Sequence, residues 1–429
     1  MAEFQHSVSL DPGKCIGCTS CLRQCPTEAI RIRNGRATIT SDLCIDCGKC
    51  VRVCQHKAKK AVFDKLKDIS PDYKWKIVLP APALYGQFEN LTNVGTLLKA
   101  LLDLGFDEVY EVAKSAEIIS ECTRRYLRKK NLPSPVISSA CPAIVRLIRL
   151  RFPDLLDNVL PILPPVEYAS RMAKAEALKA HPELTADEIC TVFISPCPAK
   201  TSYAKNGLSQ TKSSIDYVVS MSEVYFKLRG KLEKTDPGKL HSSAGHAGVK
   251  WASSGGEAEN LYCDRYLAAD DMENAIKVLD AIETGEFPRL EFVELNACPG
   301  GCVGGAATVE NPYIAKARLM GLKRSLRYNN RNYLNLTDAE PDFVPEDAYV
   351  DNPFNMYVPA VRLSADRGEA MRMMLQIEEI VSGLPGIDCG SCGAPTCRAF
   401  AEDVVKGECS IEECVVHLRK RLLEQEDGE

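Results

Sequence analysis

The feature that most constrains this chain is a pair of cysteines, Cys298 and Cys302, inside a Pro-Gly-Gly turn that is followed by a second Gly-Gly pair. The apolar run 290–295 before them predicts a strand bounded by turn residues. Glycine has no Cβ, so the backbone of such a turn can approach a bulky object closely. Two thiolates cannot complete a four-ligand site, so cysteines distant in the sequence must supply the rest. The chain is therefore predicted to fold around an inorganic group.

The composition indicates a soluble protein of several domains in a reducing compartment. Its 429 residues exceed the size at which one core keeps growing, so two or three domains are expected. The formal net charge of −5 gives no basic footprint for nucleic acid, and no apolar run approaches the roughly 20 residues that span a bilayer. Twenty cysteines without a secretion signal favour metal or redox chemistry over disulfides. We expect a cytoplasmic protein, as a monomer or a homo-oligomer, without a nucleic-acid partner or a membrane span.

A duplicated cysteine pattern lies near the N-terminus. Residues 15–26 have the spacing C-x₂-C-x₂-C-x₃-C-P, and residues 44–54 repeat it without the final proline. The pattern resembles that of bacterial two-cluster ferredoxins, in which three cysteines of one run and the last of the other hold each 4Fe–4S cluster. The resemblance implies one cluster on Cys15, Cys18, Cys21 and Cys54, and another on Cys44, Cys47, Cys50 and Cys25. A pair of zinc knuckles is the alternative.

Strands alternate with helices from about residue 64, which predicts an α/β fold with a parallel sheet and flanking helices. In such folds ligands collect at the carboxyl ends of the strands. Cys141 and Cys197 each lie between an extended segment and a predicted helix, and Cys298 follows the predicted strand 291–295. A proline after each of these cysteines pre-sets the turn, and a following helix would direct its positive end at a thiolate. Three strand ends are thus predicted to bring four cysteines, including Cys302, to one site.

The segments ACP, SPCPAK and ACPGGC around these cysteines resemble the three signature motifs of the iron-only (FeFe) hydrogenase catalytic domain, over roughly residues 75–325. The resemblance implies interconversion of H2 with protons and electrons at an H-cluster, a 4Fe–4S cluster joined to a two-iron unit that carries CO, cyanide and an azadithiolate. The implied ligands of the 4Fe–4S part are Cys141, Cys197, Cys298 and Cys302. Cys302 would bridge to the two-iron unit, which would be absent without maturation enzymes.

Three further positions follow from the same resemblance. Lys200 matches the family lysine that donates a hydrogen bond to an iron-bound cyanide, an anionic acceptor for a charge-assisted bond. Ala81 and Pro82 match the turn that lines the two-iron pocket, with the backbone rather than the side chain as the expected contact.

Several positions depart from the family pattern. Ala140 stands where the family has the cysteine that relays protons beside the amine, and alanine cannot transfer a proton. Asn296 replaces the methionine of the third motif, while Ser195 and Tyr203 replace the methionine and the glutamate of the second. These replacements resemble a divergent sensory branch of the family, and they predict low turnover and a role in sensing H2.

Cys122 and Glu257 are candidates for a replacement proton relay, because both lie in segments that line the pocket in the family. The alternative for Cys122 is a small buried apolar residue, and for Glu257 a solvated loop carboxylate. Cys190 and Cys263 have no motif around them and are predicted to be core residues. For the whole chain, the alternative is an electron-transfer or cluster-assembly protein that keeps the hydrogenase fold but lacks the two-iron unit.

The C-terminal segment carries a third cysteine pattern. Its C-x₂-C-x₄-C spacing, with Cys414 after a helical segment, resembles the small 4Fe–4S domain of Rnf-type electron-transfer subunits and corrinoid proteins. The matching ligands are Cys389, Cys392, Cys397 and Cys414. Cys409 is an alternative fourth ligand, and a zinc ribbon is the alternative site.

The sequence thus predicts three domains and three 4Fe–4S clusters outside the active site. Residues 1–63 would form an α+β two-cluster ferredoxin domain, residues 64–365 the α/β hydrogenase domain, and residues 366–429 a small 4Fe–4S domain. The expected partners are H2, protons, and either a ferredoxin-like redox protein or a signalling protein. The basic segment 316–333 is predicted to be a surface helix or a wrap around the core.

Overall fold

The computed structural model describes residues 5–207, 212–326, 342–351 and 363–426. The strands, in chain order, are β1 (Val8–Leu10), β2 (Ile30–Arg33), β3 (Arg36–Ile39), β4 (Lys59–Ala61), β5 (Trp75–Pro80), β6 (Glu108–Val109), β7 (Val136–Ile137), β8 (Ile189–Ser195), β9 (Tyr217–Ser220), β10 (Tyr266–Asp270) and β11 (Phe292–Asn296). The α-helices are α1 (Ser20–Arg23), α2 (Lys49–Val53), α3 (Val94–Leu102), α4 (Val112–Leu127), α5 (Pro142–Arg151), α6 (Pro165–Ala180), α7 (Pro198–Asn206), α8 (Met221–Leu228), α9 (His246–Lys250), α10 (Gly256–Glu259), α11 (Met272–Glu283), α12 (Pro312–Gly321), α13 (Arg367–Gly383), α14 (Cys397–Val405) and α15 (Val415–Glu426).

The chain divides into two compact units. The first unit combines Met1–Cys44 and Gly48–Lys60 with the C-terminal segment Tyr357–Glu429. The second comprises Ala61–Met356 together with the short segment Ile45–Cys47. Both cysteine-rich ends of the chain therefore belong to the same unit, and their separation into two domains stays a prediction.

The second unit is built on two parallel sheets. One has four strands in the order β6-β5-β8-β9, and the other has three in the order β10-β11-β7. Every pair of neighbouring strands in these two sheets is parallel. Strand β8, ICTVFIS, is buried along its whole length, as is usual for a central parallel strand covered by helices on both faces. The predicted α/β fold with parallel sheets and flanking helices is confirmed.

The predicted elements of the second unit agree with the structure in position more than in length. Strand β6 covers only Glu108–Val109, since helix α4 begins at Val112. The predicted basic helix over 316–333 corresponds to α12 and a 3₁₀ turn over Leu322–Ser325, and its remainder, 327–333, lies outside the described residues.

The two N-terminal cysteine runs show the predicted duplication in their backbone. Gly17 and Asp46 occupy corresponding positions of the two cysteine runs, and both have positive φ. Thr19 and Gly48 also correspond, and each is a left-handed residue that precedes a short helix. The two runs therefore repeat not only in cysteine spacing but in the turns that direct the cysteines.

The C-terminal part of the first unit is helical. Helices α13 and α14 pack around Phe400 and Ile377, which are almost completely buried. None of the helices within the described ranges is both long and apolar enough to cross a bilayer.

Candidate functional site

A cavity of about 90 Å³ lies at the carboxyl ends of strands from both parallel sheets. Cys141 follows β7, Cys197 follows β8, and Cys298 follows β11. All three cysteines line the cavity, as does Cys302. The strand ends thus bring together the four cysteines that the sequence predicted for a single site.

Local structure favours the thiolate form at two of these positions. Cys141 and Cys197 are the N-cap residues of α5 and α7, and each helix begins with a proline. The positive end of a helix dipole stabilises negative charge in its first turn. Burial, and then the neighbouring Cys298, nevertheless raise the pKa of Cys197 to about 12. Four sulfurs that line one cavity and repel one another as anions need a bound cation to hold them as thiolates, which fits an iron–sulfur cluster.

A single metal ion does not fit these cysteines. Within the described residues, no three His, Cys, Asp or Glu side chains converge closely enough to hold one ion. A tetrahedral zinc site would require four ligand atoms about 2.3 Å from a common centre. The zinc alternatives for the N-terminal and C-terminal cysteine sets stay open.

Lys200 places a cationic group in the same cavity. It lies in the first turn of α7, three residues after Cys197, and its side chain is only 8 % exposed. Its Nζ donates a hydrogen bond to the carbonyl oxygen of Ala140 at 2.8 Å. Lys200 is therefore held beside the position where the sequence lacks the family's relay cysteine.

A buried carboxyl group lies near Ala140. Ser138 Oγ donates to Glu257 Oε2 at 2.6 Å, and the backbone N–H of Ala140 donates to Ser138 Oγ at 3.2 Å. Glu257 is 3 % exposed, so it is not the solvated loop carboxylate of the alternative. Burial, and then the nearby carboxylate of Glu294, raise the pKa of Glu257 to about 8.

Glu294 is the second acid of this pair. It lies in the middle of strand β11, where its carboxylate accepts hydrogen bonds from the backbone N–H groups of Gly255 and Ala258 at 3.0 and 2.9 Å. Asn296 Nδ2 also donates to it at 2.8 Å. Burial raises the pKa of Glu294 as well, while these donors lower it. Three donors favour the charged form of Glu294, whereas Glu257 accepts one hydrogen bond, from Ser138, and is the more readily protonated of the two.

Sequence reasoning missed Ser138 and Glu294. The signal for Glu294 was available, because a charged residue inside the apolar segment EFVELN must find partners when the strand is buried. Ser138 gave no such signal, since a serine between a strand and a helix is common.

The other singled-out residues fall into two groups. Ala81 and Pro82, after β5, line the cavity, as the resemblance implied. Asn296 also lines it. Cys122 does not: it is fully buried in an apolar cluster with Ile118 and Ile119, and burial raises its pKa to about 12. The geometry favours the packing alternative for Cys122.

The other residues that differ from the family pattern, and the two cysteines without a motif, lie close to the Cys197 loop or in the core. Ser195 Oγ donates to the carbonyl of Cys197 and accepts from its N–H, so this serine braces the loop. Tyr203 is buried on α7. Cys190 is fully buried in β8, and Cys263 borders an apolar cluster, as predicted for core residues.

The first unit contains two further cavities lined by cysteines. One, of about 20 Å³, is lined by Cys15, Cys18, Cys21 and Cys54. The other, of about 10 Å³, is lined by Cys389, Cys392, Cys397 and Cys414. Each set is the one that the resemblance implied for a 4Fe–4S cluster, and Cys409 is not part of the lining.

Backbone donors around the N-terminal cysteines also suit cluster ligands. The N–H groups of Ala37, Ala58 and Ala29 donate to the sulfurs of Cys15, Cys54 and Cys25. Hydrogen bonds to sulfur stabilise reduced clusters, because they favour added negative charge. Of the second implied set, Cys25 and Cys50 border the same small core as Cys15 and Cys21. The assignment of Cys44, Cys47, Cys50 and Cys25 to one cluster stays a prediction.

Comparison with known protein families gives three matches along the chain. The family model described as the C-terminal domain of the iron-only hydrogenase large subunit matches residues 74–267 and 257–306. A 4Fe–4S dicluster domain matches residues 7–55. A putative Fe–S cluster domain matches residues 384–416.

Individual proteins give the same result. The periplasmic Fe hydrogenase large subunit of Nitratidesulfovibrio vulgaris is 27% identical over 402 residues, covering 76% of this chain and 94% of that protein. Iron hydrogenase 1 of Clostridium pasteurianum is 25% identical over 414 residues, covering 77% of this chain and 70% of that protein. The structure of a variant of the FeFe-hydrogenase HydA1 from Chlamydomonas reinhardtii shares the fold with a TM-score of 0.52, at 19% identity, over 70% of this chain and 97% of that one.

Proposed function

Because the chain belongs to the iron-only hydrogenase family, we propose that it interconverts H2 with protons and electrons at an H-cluster, with a low turnover suited to sensing H2. The observation that carries this proposal is the cavity in which cysteines from three separate loops meet Lys200. A chain that only conducted electrons would need the thiols but not a buried lysine beside them. Holding a cation in such a place is costly unless an anionic partner uses it.

The residues of the cavity fit the group that the family implies. Cys141, Cys197 and Cys298 would hold the 4Fe–4S part, and Cys302 would join it to the two-iron unit. Lys200 would donate a charge-assisted hydrogen bond to a cyanide ligand. When bound, the two-iron unit supplies the heterolytic cleavage of H2. The apolar walls, which include Val112, Ala116 and Phe193, keep water from the site.

Proton movement sets the predicted turnover. A methyl group at Ala140 neither accepts nor donates a proton, so the usual innermost relay step is missing. Ser138 and Glu257 are joined by a hydrogen bond within two residues of that position. We expect the Glu257 carboxyl to exchange its proton through the Ser138 hydroxyl, more slowly than a cysteine placed directly at position 140 would.

Electrons are proposed to pass between the catalytic cavity and the clusters of the first unit, and from there to a ferredoxin-like redox partner or a signalling protein. Cytoplasmic location stays a prediction, and one relative is named as periplasmic.

Assay of H2 evolution tests this proposal. The protein is matured with a synthetic diiron precursor and supplied with a reduced viologen as the electron donor. We expect measurable but slow evolution, well below that of HydA1 from Chlamydomonas reinhardtii matured and assayed in parallel. A rate equal to that of HydA1 would contradict the sensory role, and no activity at all would favour the electron-transfer alternative.

A further inference from the structure

A buried ion cluster joins the two cysteine-rich ends of the chain within the first unit. Arg31 and Arg33 alternate on strand β2, so their side chains lie on the same face of the strand. Arg31 Nε donates to Asp403 Oδ2 on helix α14 at 2.7 Å, and Arg33 Nη2 donates to the same oxygen. The side chain of Asp403 is only 4% exposed. A buried carboxylate held by two guanidinium groups is costly to break, because removing one partner leaves an uncompensated charge.

A backbone hydrogen bond of Ile32, the residue between the two arginines, completes this interface. The N–H of Ile32 donates to the carbonyl of Gly393 at 2.8 Å. Gly393 has a φ of +80°, and a Cβ there would lie 2.2 Å from the carbonyl oxygen of Ile32. Only glycine allows this approach. The cysteine loop 389–397 is thus hydrogen-bonded to the backbone of strand β2.

The interface brings the ligand loops of two cluster sites into contact. Gly390 follows Cys389 directly, and Leu22 follows Cys21. A Cβ on Gly390 would lie 3.1 Å from Leu22 Cδ2, so the C-terminal cysteine loop and helix α1 are in van der Waals contact at residues adjacent to predicted ligand cysteines. Leu22 is fully buried, which leaves no room for solvent between the loops at this point.

We propose that Asp403 is a positioning residue that docks the C-terminal cluster site against the N-terminal site of Cys15, Cys18, Cys21 and Cys54, so that the two exchange single electrons directly. One reduced cluster loses an electron and its oxidised neighbour gains it, and no proton or ligand moves. The C-terminal cluster site would then be the last site of the electron relay rather than part of a separate redox domain. The proposal rests on the proposed function for H2 as the source of the electrons, while the docking itself does not depend on it.

Electron paramagnetic resonance of the dithionite-reduced holoprotein tests the docking. We expect the reduced N-terminal and C-terminal clusters of the wild type to show spin–spin coupling. Asp403→Asn removes the charge that both arginines share, and Gly393→Ala forces the loop away from β2. Both variants are expected to keep their iron content while the coupling disappears. Glu379→Gln, which removes an exposed carboxylate from α13 in the same unit, is the matched control and should keep the coupling.

A second readout follows the direction of electron flow. Under H2 the C-terminal cluster of the matured wild type should become reduced, and in both variants this reduction should slow at least tenfold while dithionite reduces the cluster at the wild-type rate. A purely structural role for Asp403 would not separate the two reductants.

Two results would overturn the proposal. One is a wild-type C-terminal cluster that is magnetically isolated; this result is decisive even where a variant loses its clusters. The other is full coupling in both iron-replete variants. Dithionite reduction needs no two-iron unit, so the coupling experiment still tests the docking if the H2 chemistry itself fails.

Discussion

Lys200 and Ala140 lie next to each other in the site, and they bear on two different functions, cofactor binding and proton transfer. Lys200 keeps the cationic donor that the family places beside the two-iron unit, and its Nζ bonds to the carbonyl of Ala140 itself. Ala140 lacks the acid–base group that would stand at the same point. If the site binds the H-cluster as proposed, slow proton transfer at Ala140 would suit detection of H2 more than its rapid turnover.

Replacing Ala140 with cysteine restores the missing group, so we expect Ala140→Cys to raise the rate of H2 evolution by roughly 10²-fold, the lower end of the contribution of one acid–base group. Ala140→Ser, similar in size but a much weaker acid, is the control and should give a smaller increase. An unchanged rate in Ala140→Cys would mean that the slow step lies elsewhere.

Glu257 gives a pH-dependent prediction. Burial beside Glu294 raises its pKa from 4.5 to about 8, so the folded protein binds more protons than the unfolded chain between these values. Stability therefore falls as the pH rises through this window, by up to about 1.4 kcal/mol per pH unit. The melting temperature under anaerobic conditions should decrease from pH 5 to pH 8, and Glu257→Gln should flatten that decrease. A steeper decrease in Glu257→Gln than in the wild type would refute a protonated Glu257.

At the scale of elements, the part of the site that lies at strand ends could be predicted from the sequence. The alternation of strands and helices, with a cysteine after three of the strands, predicted which residues meet, although β8 belongs to one sheet and β7 and β11 to the other. The sequence indicated an extended segment before Cys141, but not that strand β7 is limited to Val136 and Ile137. The pairing of Glu257 with Glu294 was not predictable, because it depends on how the loop after α9 folds back over β11.

The loop after β11 approaches the loop after β8 so closely that glycine is required. A Cβ on Gly305 would lie 2.3 Å from the carbonyl oxygen of Pro196, the residue before Cys197. We expect Gly305→Ala to destabilise the protein by about 1–3 kcal/mol, the usual cost of overpacking. It should also lower the iron bound at this cavity. Gly321→Ala is the control, since nothing lies within 4 Å of a Cβ at that position. Equal melting temperatures and iron contents for the two variants would contradict this close approach.

At the scale of the whole molecule, the two units differ in what their cores contain. The second unit has extended clusters of aliphatic and aromatic side chains around its sheets. The cores of the first unit are small and contain few large apolar side chains beside cysteines predicted as cluster ligands, such as Cys21 and Cys414. A core of this size rarely supplies enough stability without a metal centre.

Removal of the clusters should therefore affect the first unit more than the second. After anaerobic chelation of iron, we expect the amide protons of β2 and α14 to exchange at rates close to those of an unfolded chain, whereas those of β5 and β8 stay protected. Hydrogen–deuterium exchange read by mass spectrometry measures both in one sample. Equal loss of protection in the two units would contradict the difference between their cores.

The most direct test of the central claim is infrared spectroscopy after maturation with a synthetic diiron precursor. We expect bands of iron-bound CO and cyanide in the wild type, their loss in Cys302→Ser, and a shift of the cyanide bands in Lys200→Met. A wild-type protein that holds its 4Fe–4S clusters but shows no such bands would contradict the account and leave an electron-transfer protein with a hydrogenase fold.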